Sequence, residues 1–274
     1  MVVKPTAKRF VLELLTAADS HRGSIANLIA AADVLGIDEG NVRVAVTRLV
    51  ATGTLEPVER GEYRLGAATR ALTTQLTSWR DLEVRNWDGS WACVQVGDLG
   101  RTDRSALRKR ERALRLQGLR ELARGLSVRP DNLVGGIDVL RTKLVALGVE
   151  PAAIVFRASE LDAETDEHAR SLWDRDRLTA TYRQTTARID RFITSMVELS
   201  PRIAARESFL FGSDVLRMIT FDPRLPAPLV DVQARRALVD AMKRLDAVGR
   251  NSWAQLFGMP HRLVINAQEH HEYS

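Results

Sequence analysis

The residues best suited to specific chemistry lie in one short run, Asn41-Val42-Arg43-Val44-Ala45-Val46-Thr47-Arg48. At the 3.6-residue period of a helix, Val42, Ala45, Val46, Leu49 and Val50 share one face, leaving Asn41, Arg43, Val44, Thr47 and Arg48 on the other. Small, β-branched, polar and basic groups together suit the floor and walls of a DNA groove, and arginine makes forked contacts with both phosphate and guanine. Arg60 and Arg64 follow shortly after, within reach of phosphates or the minor groove. Further on, Arg104, Arg108, Lys109 and Arg112 sit in a strongly basic segment, RSALRKRERALRLQG, and form a candidate set of secondary phosphate contacts. Contacts of that kind steepen the salt dependence of binding without adding base specificity. Any one of these arginines, taken alone, is more commonly a solvated helix-surface cation. Their clustering within one motif is what points to nucleic acid.

Other chemistries have thinner support. Asp98 follows an apolar strand, where a carboxylate is a possible metal ligand, but one carboxylate is a narrow basis for water activation. It defines an alternative function, a metal-dependent nucleic-acid hydrolase. An acidic residue there resembles the small CRISPR-associated nuclease-like subunits. His261, His270 and His271 with Glu269 occupy a polar C-terminal tail, and their spacing matches no zinc motif. The chain has no nucleophile–base–oxyanion constellation and no glycine-rich phosphate loop. The expectation is a non-enzyme with no cofactor and no metal.

The elements that must position these residues are legible in outline. Lys8–Ala18 reads as a first helix. Ser24 caps IANLIAAADVLG, and Gly36 ends it. Ile37 stands in the place of a hydrophobic staple before Asp38, which caps the helix carrying Asn41–Arg48; Gly53 then stops that helix. Leu55, Val58, Tyr63 and Leu65 suit two short strands around Glu59-Arg60-Gly61-Glu62. This is the pattern of a winged helix-turn-helix, in which the second helix of the motif enters the major groove. A further helix is expected over 67–84, with Leu72, Leu76 and Trp79 or Leu82 as its stripe. Beyond it, WACVQV, the basic helix opened by Thr102 or Asp103, Leu119–Leu122, Leu126–Val128, Ile137–Leu147 and the strand AAIVFRA follow in the order β-α-β-β-α-β of a ferredoxin-like domain. The remainder reads as helices: Leu172–Leu199 as one long helix or a broken pair, a second from Pro201, a proline-punctuated turn FDPRLPAP, and a last helix over Val230–Val248.

The expected fold class is therefore α+β and multidomain: 1–85 a winged helix-turn-helix with a linker helix, 86–158 ferredoxin-like, and 159–274 all-α, serving effector binding and dimerisation. Length agrees, since 274 residues exceed one small domain. Lys plus Arg number 40 against 35 Asp plus Glu, a net charge of +5 that permits nucleic-acid binding without proving it. Cys93 is the only cysteine, which excludes a disulfide framework within the chain. The start, MVVKPTAKRF, lacks the apolar core of a signal peptide and no apolar run reaches membrane-spanning length, so a cytoplasmic protein is expected.

Several strings carry a family resemblance. They are LGI…NVRVAVTRLVATGTL (Leu35–Leu55), Trp87-Asp88-Gly89-Ser90-Trp91, GLSVRPDNL (Gly125–Leu133), Leu172-Trp173-Asp174, Tyr182, Ala205-Arg206-Glu207 and Phe221-Asp222-Pro223-Arg224-Leu225-Pro226. In this order they resemble the PaaX family of bacterial transcriptional repressors, whose founding members control phenylacetic acid catabolism. The resemblance implies a homodimeric repressor that binds palindromic double-stranded DNA operators and releases them on binding a small-molecule effector of the acyl-CoA type. It places Asn41, Arg43, Thr47 and Arg48 in the recognition helix. Two departures stand out. Leu229 runs into VDVQARRALVD where the family continues Trp-Pro-Gly, and Gln117-Gly118-Leu119 replaces an aromatic glycine turn.

Overall fold

Two compact groups of residues account for the fold. A computed structural model describes residues 5–18, 21–67, 69–70, 84–97, 99–100 and 102–257. The chain mixes helices with two small antiparallel sheets, which makes it α+β. One group comprises Met1–Gln75, Ile189–Val215 and Met242–Ser274; the other comprises Leu76–Arg188 and Leu216–Ala241.

The first group begins with α1 (Ala7–Ala17), α2 (Ile25–Val34) and α3 (Glu39–Ala51). Each helix starts where an oxygen side chain takes up an early backbone N–H. Thr6 Oγ1 accepts from Arg9, Ser24 Oγ from Asn27 and Asp38 Oδ1 from Asn41 at 3.2 Å. The α2–α3 turn needs a left-handed residue, and Gly36 supplies it at φ +64°. A three-stranded antiparallel sheet follows, in the order β1 (Arg22–Ser24), β3 (Glu62–Leu65), β2 (Leu55–Glu59). The β2–β3 hairpin matches the sequence expectation. Strand β1 does not, because Arg-Gly-Ser has no apolar alternation to reveal it; its pairing, Arg22 opposite Arg64 and Ser24 opposite Glu62, is tertiary.

Phe10, Val11 and Leu15 of α1 share one core with Leu28, Val42, Val46, Leu49, Leu55 and Leu65. Residues from the far end of the chain complete it. Leu210 is buried there, and Phe209 lies 5.6 Å from Phe10 and 6.2 Å from Trp253. Ser213 donates to Glu13 at 2.9 Å, and Arg202 pairs with Asp33 at 2.8 Å.

The second group holds a four-stranded antiparallel sheet in the order β5 (Arg120–Ala123), β6 (Leu126–Pro130), β4 (Trp91–Gln95), β7 (Ile154–Ala158). Helices α4 (Arg104–Leu116) and α5 (Gly136–Ala146) bring Ala113, Leu140 and Leu144 onto Ala92, Val94 and Val155. Further helices among the described residues are α6 (Ala163–Ser171), α7 (Arg175–Ser195), α8 (Pro201–Thr220) and α9 (Val232–Phe257). The division between the two groups falls within α7, α8 and α9. The expected helix over 67–84 lies for the most part outside the described residues, its stripe Leu72, Leu76, Trp79 and Leu82 included.

Motifs far apart in sequence meet in this second group. Trp91 stacks on Trp173 at 6.2 Å and takes Trp87 edge-on at 5.2 Å, so the Trp87–Trp91 turn packs against Leu172-Trp173-Asp174. Asp88 holds that turn by accepting from the Ser90 amide and hydroxyl, and those bonds, ahead of Arg157, keep its carboxyl well below the usual aspartate range. Likewise Arg129-Pro130-Asp131-Asn132 meets Phe221–Pro226. The buried Arg129 guanidinium donates to Gln117 O, to Asn132 Oδ1 at 2.9 Å and to Pro223 O at 3.3 Å, while Asn132 Nδ2 donates to Arg224 O at 2.8 Å. Burial first, then Arg224 nearby, lowers the Arg129 pKa to about 9, which leaves it cationic at neutral pH. Tyr182 donates to Asp222 on the same loop.

Gly118 makes this docking possible. Its φ is +73°, and a Cβ there would lie 2.8 Å from Pro223 O and 2.9 Å from Pro223 Cα. A side chain is therefore excluded twice over, by backbone conformation and by space. Arg129→Leu strips donors from several buried oxygens at once and is expected to cost about 3–5 kcal/mol of stability. Gly118→Ala is expected to be destabilising by about 2 kcal/mol or more. Chemical denaturation of the two variants beside the unaltered chain checks both values.

Candidate nucleic-acid interface

The outward face of α3 follows directly from what its inward face buries. Val42, Ala45, Val46 and Leu49 are buried, which turns Asn41, Arg43, Val44, Thr47 and Arg48 to solvent. Val44 is 50% exposed, an apolar side chain turned to solvent rather than to the core.

The exposed face has two rows. Asn41, Val44, Arg48 and Thr52 form one wall of a groove of about 920 Å³, with Thr6 and Lys8 at the start of α1 opposite and the buried Ala45 and Leu49 at its base. Arg43 and Thr47 lie on the other side of the helix surface and do not line the groove. The rows differ in charge. Arg43 is held by Glu39 one turn earlier, with Nε 2.8 Å from Oε1, and Thr47 donates to Arg43 O. Arg48 and Lys8 have no carboxylate partner among the described residues.

The β2–β3 hairpin carries less free charge than its arginines suggest. Arg22 on β1 donates to Glu62 at 2.7 Å and lies 3.5 Å from Glu59. Arg64 pairs with Glu56 at 3.1 Å, and Arg70 lies 3.8 Å from the same carboxylate. The Ala67 amide, followed by Arg64, holds the Glu56 carboxyl below its ordinary range. Arg60, at the hairpin tip, is exposed and has no carboxylate partner among the described residues. Of the two hairpin arginines singled out from sequence, Arg60 is available to a phosphate and Arg64 must first leave Glu56.

On α4 the basic run also divides by direction. Arg104, Arg108, Lys109 and Arg112 are exposed. Arg110 turns inward, 4% exposed, and donates to both oxygens of Glu150, while Arg115 lies 4.8 Å from the centre of the Phe221 ring. The amphipathic period separates the two groups, but the partners Glu150 and Phe221 lie beyond any local pattern.

Asp98 and the histidine tail from His261 lie outside the described residues. Among the described residues no group of three or more His, Cys, Asp or Glu is placed to hold a metal. Cys93 is buried, and burial pushes its thiol up to about 11. Among the described residues no helix is long and apolar enough to cross a membrane.

Residues 6–69 match the family described as PaaX-like protein, and residues 173–255 match the PaaX-like protein C-terminal domain. The chain belongs to the PaaX-like family. The matched spans contain α1–α3 with the hairpin, and Trp173, Tyr182 and the Phe221–Pro226 loop. Membership supports a transcriptional regulator at a coarse level and lends nothing to the hydrolase alternative. No curated protein matches the chain. Among solved structures, the uncharacterized protein Rv0674 from Mycobacterium tuberculosis is similar in fold, with a TM-score of 0.51 and 23% identity over 88% of this chain and 97% of that one.

The Glu39–Arg43 pair generates a direct expectation for this member of the PaaX-like family. An ion pair between exposed groups contributes little to stability, and Glu39 places a negative charge beside the outward face. Glu39→Gln is expected to leave the melting temperature nearly unchanged and to tighten binding to duplex DNA several-fold. Fluorescence anisotropy with a labelled duplex measures it.

Proposed function

We propose that this protein is a sequence-specific, DNA-binding transcriptional regulator of the repressor type, acting in the cytoplasm as a homodimer on a palindromic operator. The observation that carries the reading is the outward face of α3, where Asn41, Arg43, half-exposed Val44, Thr47 and Arg48 surround a helix fixed by its buried side. With α2 before it and the β2–β3 hairpin after it, this arrangement supports a winged helix-turn-helix over residues 1–85. α3 lies in the major groove, where its side chains meet base edges, and Arg60 and Arg64 approach the backbone from the hairpin. Arg104, Arg108, Lys109 and Arg112 add sequence-independent attraction.

The sheet order β5-β6-β4-β7, with both helices packed on one face, supports a ferredoxin-like arrangement for 86–158. The helical remainder, 159–274, serves dimerisation and effector binding. A small molecule of the acyl-CoA type binds more tightly to a conformation with low operator affinity, so its arrival shifts the population off DNA.

Arg43→Ala and Arg48→Ala are each expected to weaken binding to the duplex upstream of the protein's own gene by about 1–3 kcal/mol. Equilibrium anisotropy at fixed salt measures this, and unchanged affinity in both variants would remove α3 as the recognition element. Thermal shifts across a panel of acyl-CoA thioesters test the effector, a binder raising the melting temperature with concentration.

A further inference from the structure

We infer that the groove between the start of α1 and the outer wall of α3 is the seat of one DNA strand's sugar-phosphate backbone, gripped by Lys8 on one side and Arg48 on the other. The inference rests on the DNA-binding reading and divides the labour within it. Asn41, Val44 and Arg48 face the groove, whereas Arg43 and Thr47 face away from it. A backbone strand offers alternating phosphate anions and apolar sugar edges, and the groove offers the complement. Its base is apolar, with Ala45 and Leu49, and Val44 stands half-exposed on its wall.

Its cations are free to serve a phosphate. Lys8 and Arg48 are exposed and have no carboxylate partner among the described residues. The acid that also lines the groove, Asp38, has its Oδ1 occupied by the Asn41 amide at 3.2 Å. Arg43, by contrast, is already paired with Glu39 and does not line the groove. Lys8 and Arg48 therefore set affinity and register, and Arg43 with Thr47 sets sequence preference.

Lys8 carries no structural task that its loss would confuse with DNA binding: it is exposed on the first turn of an eleven-residue helix capped by Thr6. The test compares two labelled duplexes of equal length, the stretch upstream of the protein's own gene and a scrambled version, across a salt series. For Lys8→Ala the slope of log affinity against log salt should fall by about 0.9, with a several-fold loss of affinity that is equal for both duplexes. Lys8→Arg should restore the slope. Arg48→Ala should behave as Lys8→Ala does, and Arg43→Ala should instead narrow the gap between the two duplexes. A Lys8→Ala protein with unaltered affinity and slope overturns the backbone seat, as does a loss confined to the upstream duplex. If the unaltered protein binds neither duplex, the DNA-binding reading itself fails, which separates that failure from the failure of the groove assignment.

Discussion

Burial of Val42, Val46 and Leu49 against Phe10, Val11 and Leu28 is the constraint on which the outward face of α3 depends. Each of these side chains contributes about 1.5–3 kcal/mol when fully removed from water, far more than any exposed ion pair on the opposite face. The core therefore sets the rotation of α3 about its axis, and the polar residues take whatever direction is left. One consequence is that Arg43 and Arg48, five positions apart, cannot share a row. The helix turns by about 100° per residue, so a five-residue step places them on different flanks of the exposed face. The groove beside α1 then distinguishes the flanks chemically, one open to a free cation and the other shadowed by Glu39.

The same core draws in Leu210, Phe209 and Trp253 from the end of the chain. A domain of three short helices and a small sheet has a high ratio of surface to volume, and extra apolar cover from α8 and α9 increases what it buries. Any change of state that moves these helices relative to α1 alters the support under α3. That dependence is one of packing rather than of a chain of hydrogen bonds.

In the other group of residues the family strings turn out to be partners. Trp87–Trp91 packs on Trp173, and Arg129–Asn132 packs on Phe221–Pro226. Buried arginine is tolerated at 129 because its donors meet carbonyl and amide oxygens whose own alternative is to go unpaired. The small residue at 118 has the same cause: the loop carrying Pro223 occupies the space a Cβ would need. What looks in sequence like a turn of unusual composition is a contact surface for a segment about a hundred residues later.

Local sequence was enough to determine the helix α1, the capped helices α2 and α3, the hairpin after Gly53 and the alternation of strand and helix between Trp91 and Ala158, because capping, periodicity and glycine stops act over a few residues. It was also enough to separate the buried from the exposed side of α3. It could not reveal strand β1, whose three residues are held by pairing with β3 rather than by their own propensity. Nor could it show that Arg110 turns in to Glu150 while its neighbours stay out, or that Arg22 and Arg64 are largely neutralised by Glu56, Glu59 and Glu62. Above all, Lys8 lies too far along the chain from Arg48 for any local pattern to associate them. Periodicity decides which way a side chain points from its own helix; only the packing of α1 on α3 decides what it points at.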